Sequence, residues 1–260
     1  MAETKEKEMR FDELESRMRV FETASDVAVL PGIFMVARID GRSFTHLTKV
    51  EHAFEAPYDE RFRDCMVATT RRLMECGFGV VYAYTQSDEI SLLFGRDERT
   101  FGRKLRKYCS VLAGEASAAF THALGSPAAF DCRVSQLPAE GDVVDYFRWR
   151  QEDAHRNALA GHCYWLLRRQ GESDTEATRR LDGASVAARN ELLFTNGIQF
   201  DRLPSWQKRG VGLYWERYEK VGTNPRTGLE VAATRRRIAV DLELPMKDAY
   251  DHFVRGMLRG

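Results

Sequence analysis

Four apolar segments in the first half of the chain have the length and composition of β-strands. They lie at residues 32–39, 78–84, 90–94 and 128–137. The first follows Pro31 and ends at Asp40-Gly41, and a polar stretch separates the second from the third. Short apolar runs bounded by turn-forming residues are typical of buried strands, and two runs joined by a short polar segment predict an antiparallel hairpin.

Apolar residues between these strands recur at the spacing of an α-helix. Phe62, Met66 and Leu73 repeat between Pro57 and Gly77, which can start and stop a helix. A second helical repeat lies within residues 100–122 and comprises Leu105, Tyr108, Leu112, Ala116 and Ala119. The order β-α-β-β-α-β predicts the α+β class and a ferredoxin-like polymerase palm, in which an antiparallel sheet carries helices on one face.

The second half of the chain has a mainly helical pattern. Helices are predicted at residues 143–170, 172–193 and 246–258, and a glycine and a serine at 182–185 interrupt the second. Residues 211–218 and 231–240 alternate like strands around an exposed loop at 222–228, which predicts a β-hairpin. We therefore expect a palm-like catalytic core at residues 1–138 and a helical and hairpin region at 139–260 packed on that core.

Composition restricts the classes of protein that the chain can belong to. With 260 residues, of which 43% are hydrophobic and 30% charged, the chain can bury a substantial core. An amphipathic helix is predicted at residues 12–23, and the charged residues 1–10 are expected to fray or to begin a short helix. That start has no signal-peptide core and no run of 18 apolar residues occurs, so we expect a cytoplasmic protein with no membrane partner. The five cysteines form no C-x-x-C pair, so neither a disulfide framework nor a zinc ribbon is indicated.

The charge balance argues against binding nucleic acid through overall charge. The 39 basic residues offset 39 acidic ones, so any such binding depends on local clusters. The basic clusters lie at residues 103–107, 168–169, 179–180, 208–209 and 235–237. Each is explained at least as well by a solvated surface.

Two carboxylates are expected to meet at one end of the palm. Asp40 ends a strand and Asp88 lies at the hairpin tip beside it. Paired carboxylates are costly unless a cation neutralises them, and their oxygens suit Mg²⁺. Gly41 lacks a Cβ and could bring its carbonyl to the metal. Glu89 is expected to point to the opposite face of the sheet and to have only a supporting role in catalysis. The pattern favours a two-metal site over the simpler interpretation as a turn and a polar hairpin tip.

A basic cluster coincides with the start of the second palm helix. Arg103, Lys104, Arg106 and Lys107 lie where cations oppose the helix macrodipole. A nucleoside triphosphate bound there would offset that cost. An exposed basic face explains the same residues equally well.

The two metal motifs resemble those of a known family. Residues 37–44 (ARIDGRSF) and 86–91 (QSDEIS) are similar to the metal motifs of tRNA-His guanylyltransferases and their bacterial and archaeal relatives. Residues 130–134, 146–155, 189–194 and 203–210 resemble later family segments in the right order. The resemblance covers residues 30 to 240 and implies a palm enzyme that extends RNA from 3′ to 5′, with the 3′ hydroxyl of a nucleotide attacking an activated 5′ end.

The resemblance also implies roles for individual residues. Asp40, Gly41 and Asp88 would hold two Mg²⁺ ions. Nucleotide binding, with GTP or ATP as substrate, would involve Asp40, Gly41, Arg42, Ser43, Phe44, Thr45, Ser87, Asp88, Lys104 and Lys107. Binding of tRNA would involve His155, Asn157 and Arg189. The family further implies a homotetramer.

The chain departs from the family pattern at two places. A lysine that the family links to 5′ activation is replaced by Ala56, and residues 155–161 differ from the eukaryotic segment. Both departures favour the bacterial relatives, which repair tRNA 5′ ends by templated addition. Two alternatives stay open, a nucleotide or dinucleotide cyclase with the same palm, and an RNA-binding relative without catalysis.

Overall fold

A six-stranded antiparallel sheet forms the centre of the molecule. The computed structural model describes residues 10–223, 226 and 229–259, so the expectations for residues 1–9 and for most of the 222–228 loop lie outside the described residues. The strands are β1 Phe34–Arg42, β2 Val80–Gln86, β3 Glu89–Phe94, β4 Ala129–Leu137, β5 Val211–Thr223 and β6 Glu230–Asp241. Their order in the sheet is β4-β1-β3-β2-β5-β6.

Nine α-helical segments lie in the described residues. They are α1 Phe11–Thr23, α2 Phe44–His46, α3 Glu60–Glu75, α4 Leu105–Leu124, α5 Glu140–Arg169, α6 Asp174–Leu181, α7 Val186–Thr195, α8 Ser205–Arg209 and α9 Asp248–Met257. A π-helical turn at Leu47–Glu51 and 3-10 turns at Thr100–Arg103 and Phe200–Arg202 complete them. Over this part of the chain, we find no helix long and apolar enough to cross a membrane.

The predicted palm is confirmed. Strands β1 to β4 with α3 and α4 have the order β-α-β-β-α-β, and both helices pack on the same face of the sheet. That face is apolar because alternate strand residues such as Ala37 and Ile39 point towards α3 and α4. Ser117 and Thr121 of α4 also accept hydrogen bonds from backbone amides at the start of β4.

Helices of the second half cover the opposite face. Val143 and Phe147 of α5 and Tyr250 of α9 form one apolar cluster with Val36 and Tyr82 of the sheet. The predicted arrangement of helices on one face therefore describes the palm helices. The central strands of the sheet are covered on both faces, whereas the outer part of the β5–β6 hairpin is exposed.

The predicted hairpin of the second half continues the palm sheet. β5 pairs with β2 from Val211 to Tyr214 and with β6 from Gly212 to Thr223. The predicted helix break is also found, since α6 ends at Leu181 and Ser185 caps α7 by accepting a hydrogen bond from the amide of Ala188.

Candidate active site

The ends of β1 and of the β2–β3 hairpin meet at one edge of the sheet. Gln86 pairs with Glu89, so Ser87 and Asp88 form a two-residue turn that is shorter than the predicted tip. The amide of Gly41 donates a hydrogen bond to the carbonyl of Asp88 at 3.0 Å. The fold thus brings Asp40 and Asp88 together, and their catalytic roles stay a prediction.

The Asp88 carboxyl lies in an electrostatically unfavourable position. Burial raises its pKa above the usual 3.8, and the charges of Asp40 and Glu89 raise it further. The hydroxyl of Ser87 donates to Asp88 at 3.1 Å and offsets only part of this effect. A bound cation would stabilise the ionised form of a buried carboxyl that lies beside two other carboxylates.

Glu89 does not face away from Asp40, contrary to the sequence-based expectation. The two residues are direct partners in the β1–β3 ladder, so their side chains leave the same face of the sheet. Arg38 contacts both carboxylates, Asp40 at 3.2 Å and Glu89 more closely. The other oxygen of Glu89 accepts from Arg150 at 3.1 Å.

The sequence analysis missed Arg38 and Arg150. Arg38 could have been found, because it lies two residues before Asp40 in the same strand and therefore shares its face. Arg150 comes from α5, far along the chain, and no local pattern indicates its contact with Glu89.

Gly41 is required by a close packing contact. A Cβ at this position would lie 2.5 Å from the ring of Phe44, which is buried against Phe62, Phe120 and Phe130. The predicted reason for the glycine, close approach of the backbone to a metal, is therefore not the only one. Any larger residue would displace Phe44.

The remaining residues of the predicted nucleotide segment surround a turn. Arg42, the last residue of β1, and Ser43 are exposed, and Ser43 has a left-handed backbone (φ 62°) that reverses the chain into α2. Thr45 and Ser87 lie on a cavity, whereas Phe44 is 3% exposed and contributes mainly to the core.

Two cavities border Asp88, one on each side of the hairpin turn. The α3-side cavity encloses about 190 Å³. Its lining includes Thr45, Thr48, Lys49, Phe54, Ala56, Tyr58, Asp59, Arg63, Gln86, Ser87, Asp88, Trp165 and Trp206. The α5-side cavity encloses about 310 Å³. Its lining includes Pro57, Tyr84, Ser87, Asp88, Glu89, Ser91, Arg150, Asp153, Asn157 and Trp165.

Lys104 and Lys107 are not brought to this edge of the sheet. Lys104 precedes α4 and forms an ion pair with Asp26 at 2.7 Å, and Lys107 lies 5.7 Å from the ring of Phe101. It is Phe120, in the C-terminal half of α4, that packs on Phe44. Because a helix of 20 residues is about 30 Å long, the two lysines lie at the opposite end of the palm.

Of the three predicted RNA-binding residues, the structure brings Asn157 alone to the site. Asn157 lines the α5-side cavity and donates to Asp153 at 3.3 Å. His155 packs against Phe200, and burial followed by the charges of nearby cations lowers its pKa. Arg189 donates to the carbonyl of Leu181 at 3.2 Å, away from the carboxylates.

The donor set fits Mg²⁺ bound partly through its substrate. Among the described residues, no group of three or more His, Cys, Asp or Glu side chains could hold a metal ion. Mg²⁺ usually binds through one or two carboxylates, water and substrate phosphates. Asp40 and Asp88 match that mode, and the pKa of Asp88 is raised by burial and, to a smaller extent, by the charges of Asp40 and Glu89.

Comparisons with known proteins match both halves of the chain. The family model described as tRNAHis guanylyltransferase matches residues 15–138, and the model described as Thg1 C terminal domain matches residues 141–244. The probable tRNA(His) guanylyltransferase of Mus musculus is 32% identical over 222 residues, which are 81% of this chain and 74% of the mouse protein. The Neurospora crassa tRNA(His) guanylyltransferase is 34% identical over 207 residues, which are 75% of this chain and 70% of the fungal protein.

Solved structures agree with these matches. A bacterial tRNA(His) guanylyltransferase (Thg1)-like protein in complex with GTP has a TM-score of 0.71 and 27% identity, covering 94% of this chain and 98% of that one. The structure of such a protein in complex with ATP has a TM-score of 0.71 and 28% identity, covering 94% and 99%.

Proposed function

The chain belongs to the tRNA-His guanylyltransferase family, and on that premise we propose that its site at Asp40 and Asp88 adds nucleotides to the 5′ end of tRNA in the 3′-to-5′ direction. In this reaction the 3′ hydroxyl of a nucleoside triphosphate attacks the phosphorus of an activated 5′ end. A new phosphodiester forms, and the activating group leaves, as pyrophosphate when the end is a triphosphate. The meeting of Asp40 and Asp88 between two cavities carries this proposal, because two substrates must meet at one catalytic centre.

Each part of the site has a task that follows from its position. Asp40 and Asp88 would hold two Mg²⁺ ions with the Gly41 carbonyl as a further ligand. Bound Mg²⁺ would lower the pKa of the attacking hydroxyl and offset charge on the leaving phosphate. Arg38 holds the Asp40 and Glu89 carboxylates in place, so Glu89 has a supporting role. The walls of the two cavities exclude part of the surrounding water from the reacting groups.

GTP and ATP are the proposed nucleotides, in keeping with the relatives solved in complex with them. Thr45 and Ser87 line the cavities and, with Arg42 and Ser43 at the end of β1, are proposed to bind the nucleotide. His155, Asn157 and Arg189 are proposed to contact tRNA. The family match over both halves of the chain supports a transferase over a cyclase with the same palm.

Templated repair is the proposed form of the activity. Ala56 lines the α3-side cavity where the family pattern has a lysine, so this chain lacks one cation for activating a 5′-monophosphate. Ends that are already triphosphorylated would then react faster. Choice of the nucleotide by base pairing needs few recognition contacts from a chain with no net charge.

The protein is further proposed to be a cytoplasmic homotetramer. A homotetramer would reconcile the position of the two lysines with a role in catalysis. Within one chain, Lys104 and Lys107 lie at the far end of the palm from Asp88. A neighbouring chain could bring them to the triphosphate, where Lys acts as a point charge on phosphate.

The decisive experiment varies the RNA. A set of 5′-truncated tRNAs with each of the four bases opposite the missing position is offered with each nucleotide in turn, bearing 5′-mono- or 5′-triphosphate ends. We expect addition of the pairing nucleotide to several tRNA species, faster on triphosphate ends. Guanosine added to tRNA-His alone, whatever the opposing base, would contradict templated repair, and cyclic products formed without RNA would indicate a cyclase.

A further inference from the structure

The α5-side cavity has a chemical character that the metal site does not explain. It lies between the β2–β3 hairpin and α5, encloses about 310 Å³ and borders Asp88. Tyr84, Arg150, Asp153 and Trp165 contribute to its wall. A space of this kind beside the reacting centre is large enough for a sugar.

One hydroxyl in that wall has no partner. The Tyr84 side chain is buried, 3% exposed, and its Oη makes no hydrogen bond within the described part of the chain. Tyr82 and Tyr146, buried on the same face, do bond, to Tyr250 at 3.0 Å and to Ser91 at 3.1 Å. A buried hydroxyl left unpaired is unfavourable, so a bound ligand atom would stabilise Tyr84. Because burial raises its pKa far above the usual value, Tyr84 keeps its proton and can donate.

The charges of the wall favour a neutral hydroxyl over a phosphate group as the ligand of Tyr84. Arg150 lies 3.1 Å from Glu89 and 3.6 Å from Asp153, so its charge is already balanced by two carboxylates. Asp88 adds a third carboxylate to the same wall. Carboxylates accept hydrogen bonds readily from ribose hydroxyls, and the ring of Trp165 offers a flat surface to a base.

We propose that the α5-side cavity binds the ribose of the incoming nucleoside triphosphate and recognises its 2′-hydroxyl, with Tyr84 Oη donating and the Asp153 carboxylate accepting. The inference rests on the proposed function, in which the 3′-hydroxyl of that ribose faces Asp88. The 2′- and 3′-hydroxyls are adjacent, so a ribose placed for reaction puts its 2′-hydroxyl in the same cavity. Arg150 and Asn157 hold Asp153 in position from one and the same helix. The enzyme thereby selects ribonucleotides over 2′-deoxyribonucleotides.

The test compares kcat/KM for ATP and 2′-deoxy-ATP in templated addition to a truncated tRNA. Sites built to bond a hydroxyl reject analogues that lack it, so the wild type should prefer ATP strongly. Tyr84→Phe should reduce the preference about tenfold by slowing ATP and not 2′-deoxy-ATP. Asp153→Asn should act in the same direction. The matched control is Tyr214→Phe, since Tyr214 lies on the same side of the sheet and packs on Phe253 outside the cavity lining.

Equal losses for both nucleotides in Tyr84→Phe and Asp153→Asn, or an unchanged ratio in both, would overturn the ribose site while leaving nucleotide addition intact. If the wild type adds no nucleotide to RNA, the proposed function fails instead. Calorimetric binding of the two nucleotides without RNA then tests the site directly. The site is supported if the wild type binds ATP more tightly than 2′-deoxy-ATP and Tyr84→Phe abolishes this difference. Equal affinity of the wild type for the two nucleotides rejects it. Thermal unfolding identifies a variant that does not fold, in which case the other variant decides.

Discussion

A single guanidinium nitrogen of Arg38, Nη2, donates hydrogen bonds to two carboxylates on neighbouring strands, those of Asp40 and Glu89. Arg150 holds the other oxygen of Glu89, so two arginines fix the acids at the edge of the palm. Asp88 has no arginine of its own among the described contacts, and its carboxyl has a raised pKa. The cluster therefore combines two carboxylates held by arginines, Asp40 and Glu89, with a third, Asp88, that a bound cation would stabilise.

Arg38→Gln should destabilise the protein by about 2 kcal/mol, because it leaves two half-buried carboxylates without their shared partner. The matched control is Arg133→Gln. Arg133 also approaches Asp40, at 3.4 Å, but its side chain is 59% exposed, so its loss should cost about 0.5 kcal/mol or less. Urea unfolding at pH 7 measures both, and equal destabilisation by the two variants would contradict the role given to Arg38.

Asp40→Asn and Asp88→Asn should each lower nucleotide addition by about 10³-fold or more, because each removes a proposed metal ligand without changing side-chain size. Asp145→Asn, at an exposed position on α5, is the control and should retain activity. Rates are measured with saturating nucleotide and Mg²⁺. Near-normal rates in both single variants would refute the two-metal assignment.

Asp88→Asn should also raise the melting temperature, and the gain should depend on pH. A carboxyl whose pKa is raised by folding binds its proton more tightly in the native state, so it lowers stability as pH rises from 3.8 through the raised pKa. The gain should be about 2 °C or more at pH 7.5 and should shrink towards pH 4. Melting curves of both proteins at several pH values measure it; a gain that is the same at every pH would have another cause.

Lys107→Ala should raise the KM for nucleotide about tenfold if a neighbouring chain supplies this lysine to the triphosphate. In mixed assemblies, a chain with Asp88→Asn can supply Lys107 to the intact Asp88 site of a Lys107→Ala chain. At a nucleotide concentration well below the raised KM, co-expression of the two variants should therefore give more activity than the weakly active Lys107→Ala or the inactive Asp88→Asn protein alone. Arg255→Ala on α9 serves as the control for loss of an exposed cation. Failure to recover activity in a verified mixed assembly would place Lys107 outside the active site.

Ala56→Lys should increase addition to 5′-monophosphate ends about tenfold, because it adds a cation to the α3-side cavity. Ala56→Gln has a similar size and no charge, and should leave the rate unchanged. Activity on 5′-triphosphate ends should stay within about twofold in both variants. Parallel extension assays on the two kinds of RNA give the result, and an equal effect of Lys and Gln would exclude a charge mechanism.

The palm could be predicted because each of its elements has a strong local pattern. β1 is a continuous apolar run that ends at Asp40, and α4 repeats apolar residues at helical spacing from Leu105 to Ala119. These patterns determine strand order and so the meeting of Asp40 with Asp88. The side of the sheet that Glu89 occupies depends on the ladder register and on a turn of two residues, which the polar stretch did not specify.

Long-range contacts could not be predicted. The pairing of Arg150 with Glu89 requires α5 to pack across the sheet, and the ion pair of Lys104 with Asp26 requires the chain before β1 to lie along the start of α4. Neither contact is indicated by a periodic pattern of residues in the sequence. The unpaired hydroxyl of Tyr84 likewise appears only once its surroundings are known.

The pairing of β5 with β2 has a consequence for the ancestry of the chain. Although one family model ends at residue 138 and the other begins at 141, the strand Val211–Thr223 completes an edge of the palm sheet. Deleting the second segment would leave β2 as an unpaired apolar edge, which invites aggregation. The two segments are therefore poor candidates for shuffling as separate modules, because a palm transferred alone would need another partner for β2.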